Sequence, residues 1–373
     1  MNILILNLIL STAEKGVITR RESIKDCMIS NFANGLIENG HSVTLIASED
    51  FAPINKECYK FNIIYFKSVL TKIFRPDLLP FPRGLSQYLK HNIDEFDMVI
   101  SSEAFSMATL IACNICKKKL VIWQELALHQ KIFFKLPAKF WYNVITRFFM
   151  KQQLIIPRSE AAWKFISRYS RNVSSSFVDH GANADLFVPD EESGNYFIIV
   201  SRLVKGKNII KMIRKFKGLI NKQEYSDYQL RIIGDGEEFL NIKDEIERLD
   251  MENSVILHGY MPHEIFCSYL SKAKAMLVDT IKDLNMVSIP EALISGTPIV
   301  TNSLPTTAKY IEENKLGIVN DDWDYKDLVK IIKNYKEYHE SCLKVRDELT
   351  NVGASGKMIA IYEKWVKSCN IKS

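Results

Sequence analysis

No run of 18 apolar residues occurs in this 373-residue sequence, so no transmembrane helix is expected. Long Lys/Arg blocks are also missing. The 49 basic and 44 acidic side chains leave a net charge of only +5. A nucleic-acid binder concentrates its excess on one face, so nucleic acid is not an expected partner. A mildly basic chain suits anionic ligands such as nucleotides, or an acidic membrane surface. The apolar start, Met1 to Leu10, lacks a positive leader and a small-residue cleavage site, so it reads as a buried first strand and not as a signal peptide. Repeats and low-complexity tracts are absent. The seven cysteines are odd in number and scattered, which argues for a reducing, cytoplasmic setting. Cys113 and Cys116 form a lone CxxC without a second pair or a nearby His. They read as two thiols on one helix face, and no metal or cofactor is expected.

What is present is an ordinary globular balance, 47% hydrophobic and 25% charged, at a length that suits two domains. Short apolar runs alternate with longer helical patterns, the signature of βαβ units and parallel sheets. Strands are expected at Ile3–Leu8, Val43–Ala47, Ile63–Phe66, Met98–Ser101, Leu120–Trp123 and Leu154–Ile156. A second series is expected at Tyr196–Ser201, Gln229–Ile233, Val255–His258, Ala275–Asp279 and Pro298–Thr301. Between the series lies a polar, turn-rich stretch, Pro189 to Gly194. The expected division is 1–188, 189–352 and a C-terminal helical segment, 353–373, packing back toward the first domain. The fold class is α/β, with two parallel-sheet domains facing a central cleft. In such sheets ligands bind at the carboxyl ends of the strands.

Four stretches in the second half carry chemistry. The first runs from Val278 to Thr301. A strand ends at Asp279, a loop follows, and a helix opens near Pro290, in whose first turn proline fits. Unpaired amides and the positive end of a helix dipole make such a start a natural phosphate site. Asp283 and Glu291 are separated by seven residues. Taken alone, Glu291 could equally close a capping box with Ser288, and Asp283 could be a solvated loop acid. The second stretch is Ser201 to Asn208, where Arg202 and Lys207 can address one anion from a strand-to-helix loop; Lys205 reads as solvated. The third is Gly234-Asp235-Gly236, which is no dinucleotide fingerprint, because Phe239 stands at the third glycine. The fourth is Val255 to Pro262, whose Tyr260 and Met261 read either as base-packing or as plain turn residues.

In this order the four stretches resemble the retaining GT-B glycosyltransferases, family 4 (group 1) in particular: its Arg/Lys loop, its GDG, its base strand and its EX7E motif, with Asp283 at the first Glu. The resemblance implies that Arg202 and Lys207 hold the donor diphosphate and that Glu291 binds the ribose hydroxyls. The amides of Asn285, Met286 and Val287 would approach the diphosphate or sugar, and Asp283 would lie near the transferred sugar. Gly234, Tyr260 and Met261 would sit on the donor side. Val178 to Pro189 is similar to the segment that joins the domains in this family. In the first half, relatives carry a His after the strand equivalent to Leu120–Trp123. Here Gln124-Glu125 stands there with His129 beyond, so Glu125 or His129 could orient the sugar or take the acceptor proton; both also suit a helix start or a surface. The family's glycine-rich first loop is absent: Asn7 to Gly16 contains Gly16 alone. His258 and His263 read as structural or surface residues.

The implied function is hexosyl transfer from a nucleotide-diphosphate sugar to a glycan or lipid-linked acceptor, with retention and without a metal, in bacterial surface polysaccharide or lipopolysaccharide synthesis. Fixed cations would then stabilise the leaving diphosphate. Residues 131–158 mix aromatic and basic side chains, from Lys131 and Phe133 to Phe149 and Lys151. They suit either contact with an anionic membrane at the inner face of the cell membrane or a core-facing aromatic stripe. Asp283, Met286 and the altered first loop motivate a second reading, a non-catalytic scaffold subunit. A third is a sugar-nucleotide epimerase of the same fold.

Overall fold

The computed structural model describes residues 1–11, 13, 16–127, 135–281 and 286–370, of which 369 and 370 by backbone alone. His129, Asp283 and Asn285, and the first part of the basic aromatic segment, lie outside the described residues. The chain divides into two compact units. One comprises Met1–Gly181 with the C-terminal segment from Asn351, the other Ala182–Thr350.

The first unit holds β1 (Asn2–Leu6), α1 (Met28–Glu38), β2 (Ser42–Ser48), β3 (Asn62–Phe66), α2 (Leu85–Asn92), β4 (Met98–Ser102), α3 (Met107–Cys116), β5 (Leu120–Gln124), α4 (Leu136–Phe140), a π-helical continuation (Trp141–Phe149), β6 (Leu154–Pro157) and α5 (Glu160–Ile166). The second holds β7 (Tyr196–Val200), α6 (Ile209–Ile220), β8 (Gln229–Ile233), α7 (Phe239–Arg248), β9 (Val255–Gly259), α8 (His263–Ser271), β10 (Met276–Leu277), α9 (Ser288–Ile294), β11 (Ile299–Thr301), α10 (Ala308–Glu313), β12 (Gly317–Val319), α11 (Tyr325–Lys333) and α12 (Tyr335–Leu349). α13 (Asn351–Asn370) belongs to the first unit.

Each sheet is parallel and has six strands, in the orders β3-β2-β1-β4-β5-β6 and β12-β11-β10-β7-β8-β9. Counted within its own unit, the second order is the same as the first, the doubly wound order in which the strand sequence reverses once. That switch point falls between β1 and β4 in one unit and between β7 and β10 in the other.

The strands are largely apolar because helices cover both faces. On β1, Ile3 and Ile5 enter one core, which also contains Phe32 and Trp123, while Leu4 and Leu6 enter the core on the opposite face. On β7, Phe197 and Ile199 take one face, and Tyr196 and Ile198 the other. α13 lies along α1, burying Met358, Ile359 and Tyr362 in the core that holds Phe32 and Leu36. Asn39 Nδ2 ties the pair by donating to the Val352 carbonyl at 2.8 Å. At the other crossing, Ala182 N donates to the Leu349 carbonyl at 2.9 Å, and Phe187 packs in the second unit's core. Residues 182–188 therefore pack with the second unit. α3 buries both Cys113 and Cys116, and burial pushes each thiol up to about 12.

Candidate active site

In the second unit the switch point between β7 and β10 is filled from both strands. The loop after β7 carries Arg202, exposed, and Lys207, only 8% exposed. A small pocket there is lined by Ser201, Lys207, Val278, Asp279 and Met286 among others. Asn208 opens α6 in the left-handed region, φ 47°, which asparagine tolerates better than most residues. Its Nδ2 donates to Asp279 Oδ1 at 2.8 Å. The buried Asp279 carboxylate also pairs with Lys211 at 3.0 Å and Lys215 at 3.2 Å. Burial pushes the Lys215 ammonium down, opposed by Asp279, and this ammonium lies 4.0 Å from the Trp323 ring centroid. Asp279 thus locks α6 to the end of β10. Ile281 N adds a bond to the Gly206 carbonyl at 3.0 Å.

The GDG turn interlocks with this loop. Gly234 N donates to the Gly259 carbonyl at 2.8 Å, Ser201 N to Ile233 at 3.1 Å, and Leu203 N to Asp235 at 2.9 Å. Gly234 therefore lies directly against the backbone of the Arg202 loop. Tyr260 is 74% exposed, whereas Met261 packs partly against the core. Met286 is buried and Val287 is exposed.

Glu291 stands in the first turn of α9 and is 6% exposed. No side chain caps this helix, which already begins at Ser288. Ser288 is thus a helical residue and the capping box is not formed. Instead, the Glu291 carboxylate lies 3.4 Å from His263 Nε2.

In the first unit a partly buried polar cluster forms near the carboxyl ends of β4, β5 and β6. Glu103 adopts φ 69°, a left-handed backbone that a residue with a Cβ holds only under constraint. Its carboxylate accepts from Glu125 N at 2.8 Å, Leu126 N at 3.2 Å and Gln124 Nε2 at 2.9 Å. Burial pushes the Glu103 carboxyl up to about 8; the Glu125 carboxylate adds to the rise and the two amides oppose it. Arg158, buried, donates to Glu125 Oε2 at 2.5 Å and to Asp179 Oδ1 at 2.7 Å. Burial alone would raise the Asp179 carboxyl, but His180 and Arg158 beside it hold it well below the usual carboxylate range. His180 Nδ1 lies 2.9 Å from Asp179, and its Nε2 has no hydrogen-bond partner among the described residues. Glu125, singled out from sequence, is therefore held by Arg158. Sequence reasoning missed Glu103 and Arg158, isolated polar residues just past β4 and β6, and it took Asp179 and His180 only as part of the joining segment Val178 to Pro189.

The basic aromatic segment divides. Trp141 and Tyr142 are buried in the core. Leu136, Phe140, Phe148 and Phe149 face solvent at 53–80% exposure, interleaved with Lys135, Lys139, Arg147 and Lys151.

The family of glycosyl transferases group 1 matches residues 185–351, the stretch that carries the interlocked loops. An uncharacterized glycosyltransferase of Haemophilus influenzae is 24% identical over 90% of this chain and 93% of its own. The O-antigen chain mannosyltransferase RfbU of Salmonella typhimurium is 27% identical over 57% of this chain; that match spans 61% of its length. Among solved structures, Anabaena HepE in complex with UDP superposes with a TM-score of 0.67 at 14% identity, covering 98% of this chain and 100% of the other. Residues 185–351 thus match the glycosyl transferases group 1, and the parallel sheets of the two units have the GT-B fold.

Proposed function

We propose that this glycosyltransferase moves a hexose from a nucleoside diphosphate sugar to a glycan or lipid-linked acceptor, with retention at the anomeric carbon and without a divalent metal, in the synthesis of a surface polysaccharide. The observation that carries this reading is the convergence at the second unit's switch point. There the loop from Ser201 to Lys207, the end of β10 at Asp279 and the approach to α9 at Met286 meet in one pocket.

As the glycosidic bond breaks, the diphosphate gains negative charge. Arg202 offers two parallel donors and Lys207 a compact ammonium. Fixed in place before the reaction, they stabilise that charge without reorganising. Glu291 accepts the ribose hydroxyls, and the exposed Tyr260 ring, with Met261 behind it, packs on the base. Gly234 keeps the floor of the site thin. The amides of Asn285, Met286 and Val287 approach the diphosphate or sugar, with Asp283 beside the transferred sugar. In the first unit Glu125, steadied by Arg158, and His129 orient the sugar and the acceptor hydroxyl. The O-antigen mannosyltransferase among the relatives supports a polysaccharide acceptor. The test is calorimetric titration with UDP, GDP, ADP and dTDP in EDTA. Micromolar binding of one of them is expected; binding of none would overturn the donor site, and binding only after a divalent cation is restored would overturn the metal-free reading.

The proposal extends to location: the protein works at the cytoplasmic face of a membrane. No described helix is long and apolar enough to cross one, but Phe140, Phe148 and Phe149 stand outward among cations, as an interfacial surface requires. Replacing Phe148 and Phe149 together by Ser should reduce co-sedimentation with vesicles containing anionic lipid about tenfold or more, at roughly 25 cal/mol per Å² of lost apolar contact. Unchanged co-sedimentation would rule this surface out.

A further inference from the structure

We infer that His263 is a positioning residue for ribose recognition, holding the Glu291 carboxylate in the orientation that accepts the sugar hydroxyls of the nucleotide. The inference rests on the ribose role given to Glu291 above and adds a partner that the donor-site motifs do not include.

Two separate elements bring the pair together. His263 is the first residue of α8, just after the turn that leaves β9, and Glu291 lies in the first turn of α9. The Nε2 to Oε1 distance is 3.4 Å. The carboxylate is almost wholly buried, whereas the imidazole is about a third exposed, at 32%. Among the described residues no other cationic side chain lies within ion-pair distance of Glu291. A buried carboxylate with no partner is costly, and the two ordinary explanations for a glutamate in this position are not met. The helix is not capped by it, and among the described residues no Lys or Arg neutralises it.

The histidine is itself fixed. Its ring packs against Phe266, with centroids 4.8 Å apart, and meets Phe187 edge-on at 6.1 Å. The imidazole therefore does not swing with solvent, and its Nε2 is presented to one carboxylate oxygen from a set direction. The backbone of Glu291 is held independently, since Ser295 Oγ donates to its carbonyl at 2.8 Å. What remains to be fixed is the plane of the carboxylate. A vicinal diol needs that plane defined, because its two hydroxyls donate to the carboxylate along the directions the plane sets. A donor beside Oε1 defines it before the ligand arrives, and pre-organisation of this kind is what ligand affinity gains from.

The experiment compares ribo- and 2′-deoxyribonucleoside diphosphates (UDP with dUDP, GDP with dGDP, ADP with dADP) for whichever base the protein takes. Wild type, Glu291→Ala, His263→Phe and His263→Gln are titrated by calorimetry. His263→Phe keeps a ring between Phe187 and Phe266 and removes the nitrogen; His263→Gln keeps a donor at a similar reach. Wild type should prefer the ribonucleotide, and Glu291→Ala should lose the preference. His263→Phe should reduce it about three- to tenfold, within the usual range of coupling between contacting residues, while affinity for the deoxy form stays near wild type. His263→Gln should keep it to within about twofold. A full wild-type preference in His263→Phe overturns the inference and leaves the Glu291 role standing. So does a loss in His263→Gln, which decides the matter if His263→Phe does not fold. Equal preference in wild type and Glu291→Ala overturns the ribose role itself, and the inference with it.

Discussion

Lys207→Ala should lower kcat/KM for sugar transfer, and affinity for the nucleoside diphosphate, by about 10- to 150-fold, since a hydrogen bond to a charged group contributes roughly 1.5–3 kcal/mol. Three features place this residue ahead of its basic neighbours. It lines the switch-point pocket, it is buried, and its loop is pinned at both ends. The Val204 carbonyl holds its amide at 2.9 Å, and Asn208 just beyond is bonded to Asp279. An ammonium fixed in a water-poor site acts on a developing phosphate charge more strongly than one in bulk solvent. Arg202, on the same loop but exposed, should show a loss at the lower end of the range, and more in the chemical step than in ground-state binding. Lys205 is the internal control. It is exposed, and a solvated charge near an anion contributes little, so Lys205→Ala should stay within about twofold of wild type. The comparison needs initial rates for all three variants, with thermal unfolding to show that each is folded. If Lys207→Ala and Lys205→Ala behave alike, the loop is merely a basic surface and the diphosphate lies elsewhere.

Much of this arrangement was legible in the sequence, because doubly wound folds write their buried strands as short apolar runs and place their ligands at strand ends. The eleven expected strands all form, with small shifts at the ends. β12 was not anticipated: at three residues, Gly317–Val319, it is too short to stand out as an apolar run. The loop holding Arg202 and Lys207 was legible because strand, basic residues and helix are contiguous there. The cluster of Glu103, Glu125, Arg158, Asp179 and His180 was not, because its members come from the ends of three strands and from a loop well beyond the last of them, and they meet only when the sheet forms. His263 read as a structural or surface residue for the same reason; its partner, Glu291, arrives on another helix. The pattern Ser288-x-x-Glu291 looked like a capping box, but α9 begins one residue too early for Ser288 to be the cap. Tertiary packing decided that boundary, as it decided which rings of the aromatic segment turn inward.

Gly234→Ala should destabilise the second unit strongly while leaving every charged residue in place. Glycine is required there twice over. Its φ is +138°, a region that side chains with a Cβ rarely enter. A Cβ at this position would also lie 1.8 Å from the Ser201 carbonyl oxygen and 2.9 Å from its carbon. Neither partner can give way cheaply. Gly234 N is bonded to Gly259 and Ser201 N to Ile233, so both backbones are fastened on the far side. Backbone strain of 1–3 kcal/mol together with overpacking of 1–3 kcal/mol suggests a loss of about 3–5 kcal/mol. At roughly 2–4 °C per kcal/mol, the unfolding midpoint of the unit should fall by about 10 °C. Gly206 makes the contrast, because a Cβ there meets nothing within 4 Å, and Gly206→Ala should leave the midpoint unchanged. The alanine at 234 should also weaken nucleotide binding at temperatures where the protein remains folded, since the displaced segment is Ser201-Arg202. Retained stability in Gly234→Ala would mean that the two loops are not held as close as the structure draws them. Retained stability together with lost binding would point to a direct role for Gly234 at the donor and not to a constraint on the loop beside it.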